Sequence, residues 1–226
     1  MDFSNVSEPK AQYLPNKVIL LGDSIFDNAP YVEATESVAE QLQTMFGDTA
    51  KVELLAVDGH VMANIPSQLE KVKQVTSVEN HVFISCGGND LLGYKATGLM
   101  SIKAVTIGDA LISLHQVRES FRIDYQNMLD AVQFRFAKPV ICTIYDSIPN
   151  LSYAEQVAIG IFNEVILREA AVRKLEVLDL RTICDECDDF ASISPIEPSN
   201  LGARKIALAI LYKCNQKQNE LNMGCV

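Results

Sequence analysis

At 226 residues the chain is long enough for one large domain with a buried core and marginal for two. Hydrophobic residues make up 48% and charged residues 21%, the composition of an ordinary globular protein. A net charge of −10 repels nucleic acid and anionic membranes, so neither is expected as a partner, and the charge reads as a solvated acidic surface.

Residues 1–16 carry no apolar run that could serve as a leader, and no stretch reaches the ~20 apolar residues of a membrane span. A cytoplasmic protein is expected, as one domain over 1–226 with an N-terminal extension at 1–16 and a tail at 214–226. In chain order, short apolar runs at 17–22, 51–57, 81–86, 139–145 and 175–180 predict strands. Each is nearly continuous in apolar residues, as strands covered on both faces of a parallel sheet should be. Helices are predicted at 33–46, 64–76, 110–136, 154–173 and 199–213. In the third, Leu114, Val117, Phe121, Tyr125, Met128, Leu129 and Val132 recur at helical spacing. Five strand–helix alternations predict a three-layer α/β/α sandwich around a five-stranded parallel sheet. Residues 92–110 are the least regular stretch and follow a strand's carboxyl end, where ligands bind in open α/β sheets.

Of the six cysteines, Cys86 and Cys142 lie in apolar strand-like runs and read as core residues. Cys184 and Cys187 form a CxxC with no second ligand pair, leading into an acidic loop, which argues against zinc or redox use. No cofactor and no metal are expected, and the thiols are read as free.

The chemistry is carried by the segments at the strands' carboxyl ends. The first strand ends in "GDSIFDN", where Gly22 permits a tight turn and Ser24 presents its hydroxyl at the mouth of the sheet. The second ends in "VDGHVMAN", placing the Gly59 N–H at the same edge. The third ends in "SCGGNDLLG", where Asn89 offers a side-chain NH2. Two neutral donors beside a serine are what an oxyanion hole requires.

In their order and spacing these blocks resemble the SGNH (GDSL-type) ester hydrolases, over residues 17 to about 213. The resemblance implies a flavodoxin-like SGNH fold, Ser24 as nucleophile, and an oxyanion hole of the Ser24 and Gly59 N–H groups with the Asn89 side chain. The family's last block normally carries an aspartate and, three residues on, a histidine before Pro-Ser and a helix. Here "SPIEPSNLGARKIALAI" matches Pro198, Ser199 and the helix, but Ser194 replaces the aspartate and Glu197 the histidine.

Two bases are therefore open. Glu197 is about two units less basic than histidine, roughly 3 kcal/mol of proton affinity, a gap that burial can narrow. His60 follows Gly59 and is the one histidine at the reactive edge; its alternative reading is a loop histidine. His81 and His115 read as structural. Asp23 and Asp90 flank the blocks and read as loop-holding groups or substrate-side residues. Asp146, after the fourth strand, is a further substrate-side candidate, and Asp27 completes an acidic set. The expected function is hydrolysis of small acyl or acetyl esters with a non-standard base. The alternative is a catalytically impaired relative that keeps the pocket as a ligand-binding module; the oligomeric state is left open.

Overall fold

The computed structural model describes residues 17–72 and 80–223, with side chains described through 216. A five-stranded sheet in the order β2-β1-β3-β4-β5 forms its centre, all neighbours parallel. The strands are β1 (Lys17–Gly22), β2 (Lys51–Leu54), β3 (Asn80–Ser85), β4 (Val140–Cys142) and β5 (Glu176–Leu178). This is the flavodoxin-like order, whose switch point lies between β1 and β3.

The double-sided burial of β1 follows from its sequence. Val18 and Leu20 join one core cluster, whereas Ile19 and Leu21 join the other, as the two-residue side-chain period of a strand dictates. The first cluster is closed by α1 (Val38–Phe46) and α6 (Asn200–Met223) through Leu42, Ile206 and Ile210. The second is closed by α2 (Ile65–Glu70), α4 (Ile107–Arg135) and α5 (Tyr153–Arg173), through Leu69, Phe121, Tyr125, Leu129 and Phe162. The remaining helix, α3 (Gly88–Ala96), follows β3 directly.

Several helices start where local chemistry satisfies their first N–H groups. Ser37 caps α1, and capping boxes of Thr106 with Asp109 and Ser152 with Glu155 open α4 and α5.

The structure departs from the sequence reading in boundaries and in two added elements. Strands β2, β4 and β5 are shorter than their apolar runs, and α1 begins at Val38 because residues 33–37 turn before the cap. The predicted 64–76 helix ends at Glu70, and its residues from 73 lie outside the described set, as does the 1–16 extension. The irregular 92–110 stretch holds most of α3 and a helical turn at Leu99–Ser101. Helix α6 runs to Met223, so the expected tail from 214 is largely helix. A two-stranded antiparallel ribbon, β6 (Phe190–Ala191) with β7 (Ser194–Pro198), was not anticipated.

Among the described cysteines, Cys86, Cys142, Cys184 and Cys214 are buried and Cys187 is exposed. Among the described residues no helix is long and apolar enough to cross a membrane.

Candidate active site

Ser24 stands two residues beyond the end of β1. Gly22 makes that turn with φ +131°, and a Cβ there would lie 1.8 Å from the Ser85 carbonyl oxygen. Only glycine fits so close a backbone approach. The turn is pinned by buried Gln68, whose Oε1 accepts from the Gly22 N–H at 2.9 Å and whose Nε2 donates to the Gly22 carbonyl at 2.7 Å.

Glu197 reaches the same place from β7. Burial, the largest effect, and the nearby Asp58 charge raise its pKa, while the Ser24 hydroxyl beside it lowers it; the net direction is up. One carboxylate oxygen, Glu197 Oε2, is buried without a hydrogen-bond partner. Catalytic hydrogen bonds commonly tighten only when substrate is bound.

Two tethers hold Glu197 there. The Tyr145 hydroxyl donates to the carbonyl of the preceding residue, Ile196, and Asn28 Nδ2 donates to that of the following residue, Pro198, at 3.1 Å. Asn28 is fully buried and its Oδ1 accepts from the Val38 N–H at 2.9 Å, which ties the site to the start of α1. No acceptor among the described residues takes the N–H of Ser24 or of Gly59. Asn89 Nδ2 donates to the His60 carbonyl at 2.9 Å, which leaves its second amide hydrogen for another acceptor.

Asp23 is buried beside Ser24. Burial, reinforced by the Glu197 and Asp90 charges and opposed by the Ile25 N–H, raises its pKa to about 8. Asp90 is raised by burial, against a hydrogen bond from the Met62 N–H. Cys86 lies close by, but burial holds its thiol well above the usual range. It stays neutral and is no rival to Ser24 as a nucleophile.

Ser24, Asp23, Asn89 and Glu197 open onto one cavity of about 180 Å³, far more than the ~10–15 Å³ one water needs. Away from them its wall is apolar, chiefly Leu91, Leu99, Ile144, Ile159 and Phe162, between α3 and α5. The Lys95–Glu155 ion pair lies at its edge and, with the Ser152 cap, holds Glu155 down to about 2.

The other sequence candidates are not on the cavity wall. His60 Nδ1 meets Gln68 Nε2 at 2.9 Å. Because that amide donates to Gly22 as well, Nδ1 is the acceptor and the ring proton is on Nε2. Asp27 accepts from the Asp58 N–H at 3.0 Å and so braces the loop after β2. Asp146 lies where its charge acts on Arg181. His81 is buried in β3, and His115 is exposed on α4. Among the described residues no group of His, Cys, Asp and Glu is arranged to hold a metal ion. Asn28, Gln68 and Tyr145 were missed by sequence reasoning. Asn28 closes the "GDSIFDN" block, but its partner is 170 residues away.

Residues 20–205 match the model of the GDSL-like lipase/acylhydrolase family. Solved structures share the fold at low identity. A lipolytic protein of the G-D-S-L family from Veillonella parvula superposes with a TM-score of 0.64 at 17% identity, covering 87% of this chain and 96% of its own. Phospholipase A1 from Streptomyces albidoflavus gives 0.60 at 14%, covering 88% and 99%. An acetyl xylan esterase, AlAXEase, gives 0.64 at 17%, covering 87% and 98%. Among curated proteins, none matches by sequence.

Proposed function

This chain belongs to the GDSL-like lipase/acylhydrolase family, and on that premise we propose that it is a serine ester hydrolase in which Glu197 replaces the usual histidine. The observation that carries the proposal is the buried Glu197 carboxylate against the Ser24 hydroxyl, with one oxygen unpartnered. A glutamate in water is too weak a base for a serine. Burial offsets part of that deficit by raising its proton affinity.

In the proposed reaction Ser24 Oγ attacks the ester carbonyl as its proton passes to Glu197. The carbonyl oxygen gains the negative charge and is held by the Ser24 and Gly59 N–H groups and Asn89 Nδ2, donors with capacity to spare. Glu197 then returns the proton to the leaving alkoxide, and the acyl-serine forms. Water attacks that ester with Glu197 again as base, releasing acid and regenerating Ser24. A carboxylate has no tautomer to fix, so Ser194 need not do the work of an aspartate. The tethers from Tyr145 and Asn28 supply orientation instead. Asp23, with its pKa near 8, is protonated at neutral pH, so its neighbour Glu197 faces one less negative charge.

The cavity wall favours an apolar acyl group. It admits the small acyl and acetyl esters expected from the sequence and supports longer chains as well. His60 is assigned to positioning through Gln68. The test is hydrolysis of p-nitrophenyl acetate, butyrate and octanoate by wild type, Ser24→Ala, Glu197→Gln and His60→Ala. Loss in the first two variants with retention in the third is expected. Equal inactivity of wild type and Ser24→Ala would leave the pocket as a binding module.

A further inference from the structure

Helix α4 has a core-facing stripe that runs past the edge of the domain. Phe121 is buried, and Val117 and Leu114 are partly buried against the second core cluster. One and two turns earlier the same face carries Leu111 and Ile107, which are 55% and 81% exposed. Residues 101–112 are exposed without a break, Val105 at 97%. An exposed apolar patch of this kind marks a surface that something covers.

What covers it is indicated by where the stripe leads. Leu92 and Met100, which precede the α4 tip in the chain, lie both on the exposed surface and in the wall of the site cavity. Exposed Tyr153 and Val157 flank Glu155 and Ala158, two further wall residues. A second protein copy seated on the stripe would also cover the mouth. A lipid surface would cover it and feed the cavity in the same contact. Residues 96–112 carry one lysine, Lys103, and one acid, Asp109, so this face is neutral while the chain as a whole is acidic. Neutral headgroups fit it, and anionic ones are disfavoured by the net charge.

We propose that the α4 tip, through Val105, Ile107, Leu111 and Ile112, docks on a neutral or zwitterionic lipid surface and delivers acyl chains to the cavity beside Ser24. This departs from the absence of a membrane partner expected from overall charge. It rests on the serine hydrolase reading only for the fate of the chain; docking itself does not require turnover.

The experiment is sedimentation with phosphatidylcholine vesicles, using the full chain carrying Ser24→Ala so that no lipid is consumed. Adding Ile107→Asp and Leu111→Asp is expected to lower the bound fraction at least tenfold, and Phe134→Asp, an exposed apolar site near the other end of α4, to leave it unchanged. Ile107, Leu111 and Phe134 are all exposed, and circular dichroism melts check that each variant is folded. Vesicle binding absent, or equal with and without the two aspartates, overturns the proposal. A dimer that the aspartates dissociate, without vesicle binding, assigns the stripe to a second copy. Esterase assays of wild type against Ser24→Ala on soluble esters report separately on the hydrolase reading.

Discussion

Asp23→Asn offers a prediction whose size follows from the structure. Asp23 is 3% exposed and its pKa is raised from 3.8 to about 8, by burial first and then by the Glu197 and Asp90 charges. Between those pH values the folded chain keeps a proton that the unfolded chain releases, so the contribution of Asp23 to stability is fullest below pH 3.8 and is lost as pH rises to about 8. At ~1.36 kcal/mol per pH unit the loss approaches about 6 kcal/mol as a ceiling, a large part of a domain's ~5–15 kcal/mol. Asparagine has the same shape, keeps an oxygen for the Ile25 N–H, and does not titrate. Urea unfolding of both proteins at intervals from pH 4 to 9 is the assay. The variant is expected to gain on wild type by several kcal/mol as pH rises, with the difference changing little above pH 8. Parallel stability curves across the range would refute the reasoning, because they would mean that Asp23 ionises as easily folded as unfolded.

Three further outcomes are expected. Gly22→Ala forces a Cβ into the Ser85 carbonyl at a positive φ, and should cost more than ~3 kcal/mol or abolish soluble expression, read by yield and urea unfolding. Tyr145→Phe leaves the Ile196 carbonyl without its hydroxyl donor. It should cost ~1–3 kcal/mol and lower kcat about tenfold with KM little changed, since Glu197 loses a tether. His60→Gln can still meet Gln68 and should retain kcat/KM within about tenfold of wild type, whereas loss of a general base costs ~10²–10⁴-fold.

The parts of this molecule governed by local rules were legible in the sequence. The apolar runs gave the five strands because both faces of the sheet are covered, and the glycine at or after the end of each of the first three strands marked the edge where Ser24 and Asn89 stand. The "SPIE" block gave the position of Glu197, since Pro198 and the α6 start fix the register of the last segment. What was not legible depends on distant partners. The Asn28 to Pro198 contact spans 170 residues, Tyr145 to Ile196 spans 51 and Gln68 to Gly22 spans 46. No local pattern announces such pairs. The β6–β7 ribbon is too short for an alternating signal, with two residues against five. His60 lies at the edge where sequence placed it, but the amide of Gln68 holds its Nδ1, a relation set by the packing of α2 on β1. Residues 92–110 lacked regular periodicity because the apolar positions there face outward as well as inward.

The central claim, that Glu197 is the base for Ser24, is tested most directly by kcat/KM against pH for wild type and Glu197→Gln on one soluble ester. Burial raises the Glu197 pKa and the base must be ionised, so wild-type activity should rise with pH along a limb displaced above the ordinary glutamate value of 4.5. In Glu197→Gln that limb should vanish and the rate fall ~10²–10⁴-fold. Wild-type activity in Glu197→Gln with the limb intact would contradict the account and place the base elsewhere.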